Sequence, residues 1–460
     1  MLALALLCGA SGALYAAEGD VAVPLTSESG APLGEGFYRA GSLWVPADVM
    51  KNLGTPLTGG PNGKGFIITV EDPAGVFGDA DIARLCGGRL SLYFPSLIEA
   101  KVSYFNPDGV EAITGVAASD TGASVVLRRV KTSVTPRQPN AVPAGKLSLA
   151  WAHITSTNPD LGSEEKINGL SVLSPTWFNL TDGMGGMANR ASAVYTDAAH
   201  RKGYSVWGLV SNGFSKTNTT AFFRNNGAKN LFIARILAYA KLYGLDGINL
   251  DFENVDPADR DAYVSFVAAL SPYLRARGLT FSVDVFIPAK TNSSRSHDRA
   301  SLAKHADYIM LMAYDEHWRT CKTSGSVASM PWVERAVSGT LAEGVPANRL
   351  VLGVPFYMRR WEETPTGGKP KVKSYTLTMA SSDNLLRSKG LTPMWLAAAG
   401  QNFYSYNENG KTYKIWVEDE QSMAKRMDLA TKYGLAGVAG WRKGHETPDI
   451  WNVIADWVNK

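Results

Sequence analysis

The sequence has few cysteines, little net charge and no dense run of one sign. Its 460 residues include three cysteines, Cys8, Cys86 and Cys321, which lie far apart without Cys-x-x-Cys or Cys/His spacing. We therefore expect neither a disulfide framework nor a metal site. Lysine plus arginine exceeds the acids by 46 − 42 = +4, and no basic cluster occurs. This balance gives nucleic-acid binding little support and is compatible with a weakly anionic partner.

The only long apolar run is at the N-terminus. Residues 1–17, MLALALLCGASGALYAA, have the length of a signal-peptide core and are short for a membrane span. We predict a signal peptide there, and hence a secreted or envelope-associated protein, although the run lacks the usual positive charge at its start. A buried N-terminal helix is the alternative. No later uncharged stretch approaches 18 residues, so we expect no stable membrane insertion after cleavage.

A proline-rich segment divides the rest of the chain. Residues 130–146 contain three prolines and no hydrophobic period, which predicts a linker. Before it, residues 18–129 show short alternating runs typical of a small, mainly β module without a catalytic constellation. LWVP (43–46) returns as LYFP (92–95), which indicates a weak internal repeat. These segments faintly resemble the stalk-type repeats at the N-terminus of copper amine oxidases, and the module could serve in wall binding.

Residues 147–460 alternate strands with helical patterns. Eight apolar runs rich in Val, Ile and Leu are typical of parallel strands buried on both faces. This pattern predicts an α/β fold, a (β/α)8 TIM barrel. A longer connection, about 361–416, predicts a small α+β insertion between strands seven and eight, with a hairpin turn at 408–410. The strand candidates are 146–154, 169–178, 204–212, 247–253, 279–287, 307–314, 349–357 and 434–441.

The fourth strand candidate, DGINLDFEN (246–254), carries an unusual polar face. Because side chains alternate along a strand, Asn249, Asp251 and Glu253 share one face, and the apolar residues between them share the other. Two carboxyl groups pointing into a barrel are costly to bury without partners. A structural salt-bridge ladder is the alternative, but the neighbouring strands offer no matching basic residues. Since barrel active sites lie at the C-terminal strand ends, we expect a catalytic site here.

These motifs resemble glycoside hydrolase family 18, whose fourth-strand signature begins with Asp-Gly and ends in Asp-x-Asp-x-Glu. Asp246 and Gly247 match its start, Asp251 and Glu253 match its last two acids, and Asn249 departs from it. The chain is most similar to the branch of spore-cortex peptidoglycan N-acetylglucosaminidases, in which an Asn at this position recurs. Further matching segments are SPTWF (174–178), MAYDEHW (312–318), GSVASMPWVE (325–334), GVPFYMRRWEE (353–363) and AGWRKGHETPDIW (439–451).

The resemblance implies retaining hydrolysis assisted by the substrate, a known exception to the two-carboxylate scheme. Glu253 would protonate the leaving oxygen, Asp251 would orient the substrate's 2-acetamido group, and Tyr314 would hold the acetamide oxygen. Six further residues are candidates for substrate binding, with core packing as the alternative for each except Asn249: Asn249, Asp315, Trp441, Trp177, Asp284 and Arg359. The mechanism needs no metal or organic cofactor, and the sequence shows no oligomer signal, so we expect a monomer.

Three hypotheses for function remain open. The first is a secreted glycosidase that cleaves peptidoglycan after N-acetylglucosamine. The second keeps the chemistry but changes the polymer to chitin. The third, a non-catalytic carbohydrate-binding protein on a disabled barrel, is opposed by the intact Glu253. In every case the partner is a polysaccharide.

Overall fold

The structure, a computed structural model, describes residues 19–61, 64–135, 137–140 and 145–460. The predicted signal peptide lies outside the described residues. Contacts between residues divide the chain into two units, one comprising the described residues up to Thr135 with Ser192–Val194, and the other the remainder. No helix in the described ranges is both long enough and apolar enough to cross a membrane.

The first unit is mainly β, as predicted. A seven-stranded sheet has the order β7-β8-β3-β2-β1-β10-β9, and a second sheet has the order β4-β5-β6. Phe37 and Tyr104 pack edge to face in its core, with ring centroids 4.9 Å apart. The strands are β1 Val21–Ser27, β2 Pro32–Arg39, β3 Ser42–Pro46, β4 Leu57–Gly59, β5 Phe66–Val70, β6 Leu90–Phe94, β7 Leu97–Glu99, β8 Val102–Phe105, β9 Val116–Asp120 and β10 Val125–Arg129, and the helices are α1 Ala47–Asn52, α2 Pro73–Phe77, α3 Ala80–Cys86 and α4 Glu111–Thr114.

The two segments of the predicted internal repeat lie in different sheets of this unit. LWVP lies at the end of β3 and leads into α1, whereas LYFP lies in and just after β6, in the other sheet, and leads into another strand. Two hairpins of the seven-stranded sheet, β2–β3 and β7–β8, are each followed by a helix. Both turn through left-handed residues, at Ala40 (φ 50°) and Ala100 (φ 47°), because a tight hairpin turn requires positive φ.

The second unit contains a closed barrel of eight parallel strands. Its order is β12-β11-β25-β19-β18-β17-β16-β15, and pairing of β12 with β15 closes it. All eight predicted strands are present, and the barrel interior is packed with side chains from several of them. The strands of this unit are β11 Leu147–Ala152, β12 Val172–Pro175, β13 Phe178–Leu180, β14 Met187–Asn189, β15 Ser205–Ser211, β16 Gly247–Asp251, β17 Thr280–Phe286, β18 Tyr308–Met312, β19 Leu350–Pro355, β20 Tyr357–Thr364, β21 Lys371–Thr378, β22 Met394–Leu396, β23 Gln401–Glu408, β24 Lys411–Val417 and β25 Gly437–Trp441.

Helices connect the barrel strands from β12 onward, whereas the connection from β11 to β12 contains no helix. In α8 the apolar residues recur on one face, which is buried, and Pro272 is accommodated within the helix. The remaining helices of the chain are α5 Ala193–Arg201, α6 Lys216–Phe223, α7 Asn226–Leu242, α8 Arg260–Arg275, α9 Asn292–Arg295, α10 Arg299–Ala303, α11 Met330–Ala342, α12 Met379–Lys389, α13 Glu420–Lys432 and α14 Pro448–Val458, with short 3-10 turns at Pro257–Asp259 and Ala347–Arg349.

The predicted insertion between the seventh and eighth barrel strands is an antiparallel sheet with one helix. Its strand order is β21-β20-β24-β23-β22, and α12 connects β21 to β22. The β23–β24 hairpin turns at Asn409 and Gly410, whose φ angles of 50° and 70° are those of a type I′ turn. The insertion follows the C-terminal end of β19, so it rises on the face of the barrel where active sites lie.

Candidate active site

A cavity of about 610 Å³ opens at the C-terminal ends of the barrel strands. Six of the nine sequence-predicted site residues line it: Asp251, Glu253, Asp284, Tyr314, Asp315 and Trp441. They come from β16, β17, β18, β25 and the loops that follow, so closure of the barrel brings together residues far apart in sequence. The other three, Asn249, Trp177 and Arg359, are not in its lining.

Two carboxyl groups from the fourth barrel strand face this cavity. Asp251 is the last residue of β16 and is 8% exposed, and its Oδ1 has no hydrogen-bond partner among the described residues. Burial raises the pKa of Asp251 well above its usual value, with the charges of Glu253 and Asp284 adding to the rise. Glu253 is half-buried, and burial, helped by Asp315, raises its pKa to about 7. Glu253 therefore keeps a proton in a range where an ordinary glutamate is ionised.

Asn249, predicted to bind substrate, lies outside the lining of the cavity. It lies two residues before Asp251 on the same strand face, one layer deeper in the barrel, and is fully buried. Its Oδ1 accepts hydrogen bonds from Trp151 Nε1 (2.8 Å) and Ser174 Oγ (3.1 Å). Its Nδ2 donates to Asp284 Oδ1 (2.6 Å) and Ser282 Oγ (3.0 Å). Its amide is saturated by protein groups, so Asn249 orients the residues above it.

Aromatic rings form the base of the cavity. Trp151, at the end of the first barrel strand, packs against Trp441 and Tyr314, with centroid distances of 6.2 and 6.4 Å. Burial raises the pKa of Tyr314 well above its usual value, and Asp284 adds to the rise, so its hydroxyl stays protonated and can donate a hydrogen bond. Trp151 was not among the predicted site residues, although it alternates with Ala150 and so faces the barrel interior on the same side as Leu149.

Asp315 lies at the cavity edge and is held by two side chains. Its backbone is left-handed (φ 61°), and its Oδ1 accepts hydrogen bonds from Tyr357 Oη (2.6 Å) and Arg359 Nη2 (2.8 Å). Arg359 is 6% exposed and also donates from Nε to the His317 carbonyl (3.2 Å). Arg359 lies outside the cavity lining, and its guanidinium also donates to Thr376 Oγ1 (3.5 Å), so its contacts in the structure are with protein groups, among them the cavity residue Asp315.

Trp177, a predicted substrate-binding residue, is buried and lies outside the lining of the cavity. Thr176 and Phe178, on either side of it, line the cavity, so alternation along the chain turns Trp177 to the opposite side. Its indole is fully buried, donates to Asn158 Oδ1 (2.6 Å) and packs edge to face with Tyr195. These contacts are those of core packing, the alternative that the sequence left open.

Asn212, which was not among the predicted site residues, hydrogen-bonds to both backbone polar groups of Glu253. Its Nδ2 donates to the Glu253 carbonyl (2.6 Å), and its Oδ1 accepts from the Glu253 N–H (3.0 Å). The same Oδ1 accepts from the N–H of Phe214, a half-exposed cavity residue with left-handed backbone (φ 55°). Asn254 Nδ2 donates to the Phe214 carbonyl (3.0 Å). Asn212 is the last residue of the third strand candidate, and this position was the only feature of the sequence that pointed to it.

One further cluster lines the cavity beyond the first barrel strand. His153 and Thr155 follow β11, and Arg190 donates to the Thr155 carbonyl (3.2 Å) and to Asn179 Oδ1 (2.9 Å). Burial lowers the pKa of His153, and the nearby Arg442 adds to the shift, so its imidazole favours the neutral form. In the described ranges, no group of three or more His, Cys, Asp or Glu side chains is arranged to hold a metal ion.

The fold and this cavity define a class of protein: a (β/α)8-barrel enzyme with carboxyl groups at its mouth, the arrangement of glycosidases. Residues 157–445 match the model of glycosyl hydrolases family 18. This match covers more than half of the chain, and the chain belongs to that family. It is a glycosidase whose relatives include cortex-lytic enzymes and chitinases.

Two relatives come from Bacillus subtilis. The putative sporulation-specific glycosylase YdhD is 28% identical over 357 residues, which cover 72% of this chain and 82% of the relative. The uncharacterized glycosylase YvbX is 28% identical over 271 residues, which cover 56% of this chain and 76% of the relative. The cortical fragment-lytic enzyme of Bacillus anthracis is 25% identical over 253 residues, which cover 54% of this chain and 58% of that enzyme.

A solved structure supports the fold. The Bacillus cereus spore cortex-lytic enzyme SleL superposes with a TM-score of 0.61 and 19% identity, covering 85% of this chain and 97% of that one. At this identity the likeness speaks for the fold alone. The departure at Asn249 leaves the barrel and the Asp251–Glu253 pair in place.

Proposed function

We propose that the protein is a secreted hydrolase that cleaves β-1,4 bonds after N-acetylglucosamine in peptidoglycan, by a retaining and substrate-assisted mechanism. The observation that carries the proposal is the pairing, in one cavity, of Glu253, with a pKa of about 7, and Asp251, whose Oδ1 has no partner in the described part of the chain. A proton donor and a free acceptor are the two groups that this chemistry requires.

In the first step Glu253 donates its proton to the glycosidic oxygen. The carbonyl oxygen of the substrate's own 2-acetamido group attacks the anomeric carbon, and the bond to the leaving oxygen breaks. The product is a cyclic oxazolinium ion and a free hydroxyl on the departing sugar. The raised pKa of Glu253 makes the proton available near neutral pH.

Asp251 supports this step through its Oδ1. An acetamide N–H would donate a hydrogen bond to that atom, which fixes the attacking group and stabilises the positive charge that develops on it. Tyr314, protonated in this environment, donates to the acetamide oxygen. Trp441 offers a flat apolar ring to the C–H face of the sugar.

In the second step Glu253, now ionised, accepts a proton from water. The resulting hydroxide attacks the anomeric carbon and opens the oxazolinium ring, which restores the acetamido group. Two inversions leave the anomeric configuration unchanged. Glu253 ends the cycle protonated, so one residue serves as acid and then as base.

Two observations favour peptidoglycan. Relatives from Bacillus anthracis, Bacillus cereus and Bacillus subtilis are named cortical fragment-lytic enzymes. The net charge of +4 suits a weakly anionic wall polymer. Chitin is the second candidate, because Chitinase A1 of Niallia circulans is 25% identical over 356 residues, covering 66% of this chain and 50% of that enzyme.

Mass spectrometry of the products tests the proposal. Purified peptidoglycan and chitin oligosaccharides are each incubated with the wild type and with Glu253→Gln. We expect muropeptides ending in reducing N-acetylglucosamine from the wild type and none from the variant. Chitobiose from chitin alone would make the protein a chitinase. Binding without any product would favour the non-catalytic carbohydrate-binding protein, and a fully active variant would refute the mechanism.

A further inference from the structure

A second cavity, of about 520 Å³, lies outside the catalytic site. One wall comes from six residues between 316 and 329, in the segment that follows the sixth barrel strand, and the other comes from residues 395–399 and Trp416 of the insertion. Both walls follow C-terminal strand ends, so this cavity opens on the same face as the catalytic one. The two cavities share no lining residue, but Asp315 lines the first and Glu316 lines the second. We call this second cavity the insertion pocket.

Two indoles and two polar side chains characterise the insertion pocket. Trp395 and Trp416 are half-buried, which leaves part of each side chain accessible. Glu316 Oε2 accepts a hydrogen bond from the Ser329 N–H (2.8 Å), and no described residue hydrogen-bonds to its second oxygen. His317 uses Nδ1 toward the Ser326 carbonyl (2.9 Å), which leaves Nε2 as a further polar group.

A buried network supports both walls of the insertion pocket. Arg426 and Glu418, almost fully buried, form an ion pair of 2.6 Å. Arg426 Nη2 also donates to the Ala328 carbonyl of one wall (2.9 Å). Gln401, directly after the other wall, donates to Glu418 Oε1 (2.7 Å) and accepts from Ser326 Oγ. The Arg426–Glu418 pair is thereby hydrogen-bonded to the segments that carry both walls, to Ala328 directly and to Gln401, which also contacts Ser326.

We propose that the insertion pocket binds a sugar unit of a polymeric glycan, away from the scissile bond. Indole rings pack on the apolar face of a pyranose, and the carboxylate and imidazole hydrogen-bond its hydroxyl groups. The lining contains no lysine or arginine, which disfavours an anionic ligand. A small amine could pair its ammonium group with the Glu316 carboxylate, but it would fill little of the 520 Å³ cavity. The inference rests on the proposed function, since it takes a polymeric glycan as substrate.

Binding without turnover tests the pocket. In a Glu253→Gln background, which removes hydrolysis, Trp395→Ala and Glu316→Gln are compared for sedimentation with insoluble peptidoglycan. Loss of one stacked ring should weaken retention by roughly fivefold or more. Trp318→Ala is the matched control, because Trp318 is exposed on the same barrel loop but lines neither cavity. Thermal melting shows whether each variant is folded. If Trp395→Ala does not fold, Glu316→Gln still tests the pocket.

Turnover separates this inference from the proposed function. In the active protein we expect Trp395→Ala to slow digestion of insoluble peptidoglycan and to leave hydrolysis of short N-acetylglucosamine oligomers unchanged. Retention equal to that of Trp318→Ala would overturn the inference. Displacement of the bound polymer by lysine but not by N-acetylglucosamine oligomers would also overturn it, in favour of an amine. If the wild type hydrolyses no glycan, the proposed function fails, but the retention measurement still decides the pocket.

Discussion

Glu253→Gln should make the protein more stable at high pH even as it removes activity. Burial and Asp315 raise the pKa of Glu253 from 4.5 to about 7, so the folded chain binds a proton that the unfolded chain has released between these values. The contribution of Glu253 to stability is therefore fully present below pH 4.5 and is lost as the pH rises to 7. Glutamine has nearly the same shape and does not titrate, so the variant avoids this loss.

The size of the effect follows from the pKa. A rise from 4.5 to about 7 corresponds to about 3 kcal/mol, at about 1.4 kcal/mol per tenfold change in proton affinity. Glu253 is half-buried, and solvent screens part of the interaction, so we expect about 2 kcal/mol at pH 8. For a unit of this size, about 2 kcal/mol raises the melting temperature by roughly 4 °C.

Thermal melts of the wild type and Glu253→Gln at pH 4 and pH 8 provide the assay. The difference between the two proteins should be near zero at pH 4 and should favour the variant at pH 8. Glu165→Gln, which changes an exposed carboxylate of the same unit, serves as the control and should show no such pH dependence. A variant that is less stable than the wild type at pH 8, or equally shifted at both pH values, would refute the assigned electrostatics.

Three further predictions concern the residues around Glu253. Turnover should fall as the pH rises above about 7, because Glu253 must hold a proton to act as the acid, and a pH–rate profile that rises up to pH 9 would contradict this. Asn212→Ala should lower kcat by about tenfold with a smaller change in KM, because the Glu253 backbone loses both hydrogen bonds to this side chain. Asn212→Asp should restore part of the rate, because it keeps the oxygen that accepts from the Glu253 N–H. Steady-state kinetics of the two variants measure these changes. Asn249→Ala should cost about 2–4 kcal/mol in urea unfolding, because Trp151 Nε1 and Asp284 lose a buried partner, and a loss under 1 kcal/mol would argue against the network.

The barrel and its acid pair were predictable because they rest on local patterns. Parallel strands buried on both faces must be apolar runs, so all eight were visible in the sequence. Strand alternation alone put Asp251 and Glu253 on one face, and both line the cavity. The hairpin turn at Asn409 and Gly410 was equally local, since those residues tolerate positive φ.

Other features depended on partners distant in the chain. The sequence placed Asn249 on the polar face but could not tell that Trp151, 98 residues away, and Asp284, 35 residues away, saturate its amide. Arg359 was predicted to bind substrate, but the sequence could not show that its guanidinium donates a hydrogen bond to Asp315, 44 residues away. Trp177 was predicted to be a site residue. In the structure its neighbours Thr176 and Phe178 line the cavity, and the Trp177 side chain points to the opposite side and is buried.

The sequence by itself thus determined the fold class, the strand count and the candidate acid and base, because periodicity and residue type act over a few positions. Only the tertiary structure decided which polar groups remain free to meet a ligand. Asp251 Oδ1 keeps its lone pairs available, and the amide of Asn249, two residues earlier, does not. The reason is physical: a buried polar group binds whichever partner the fold brings to it, and that partner comes from elsewhere in the chain.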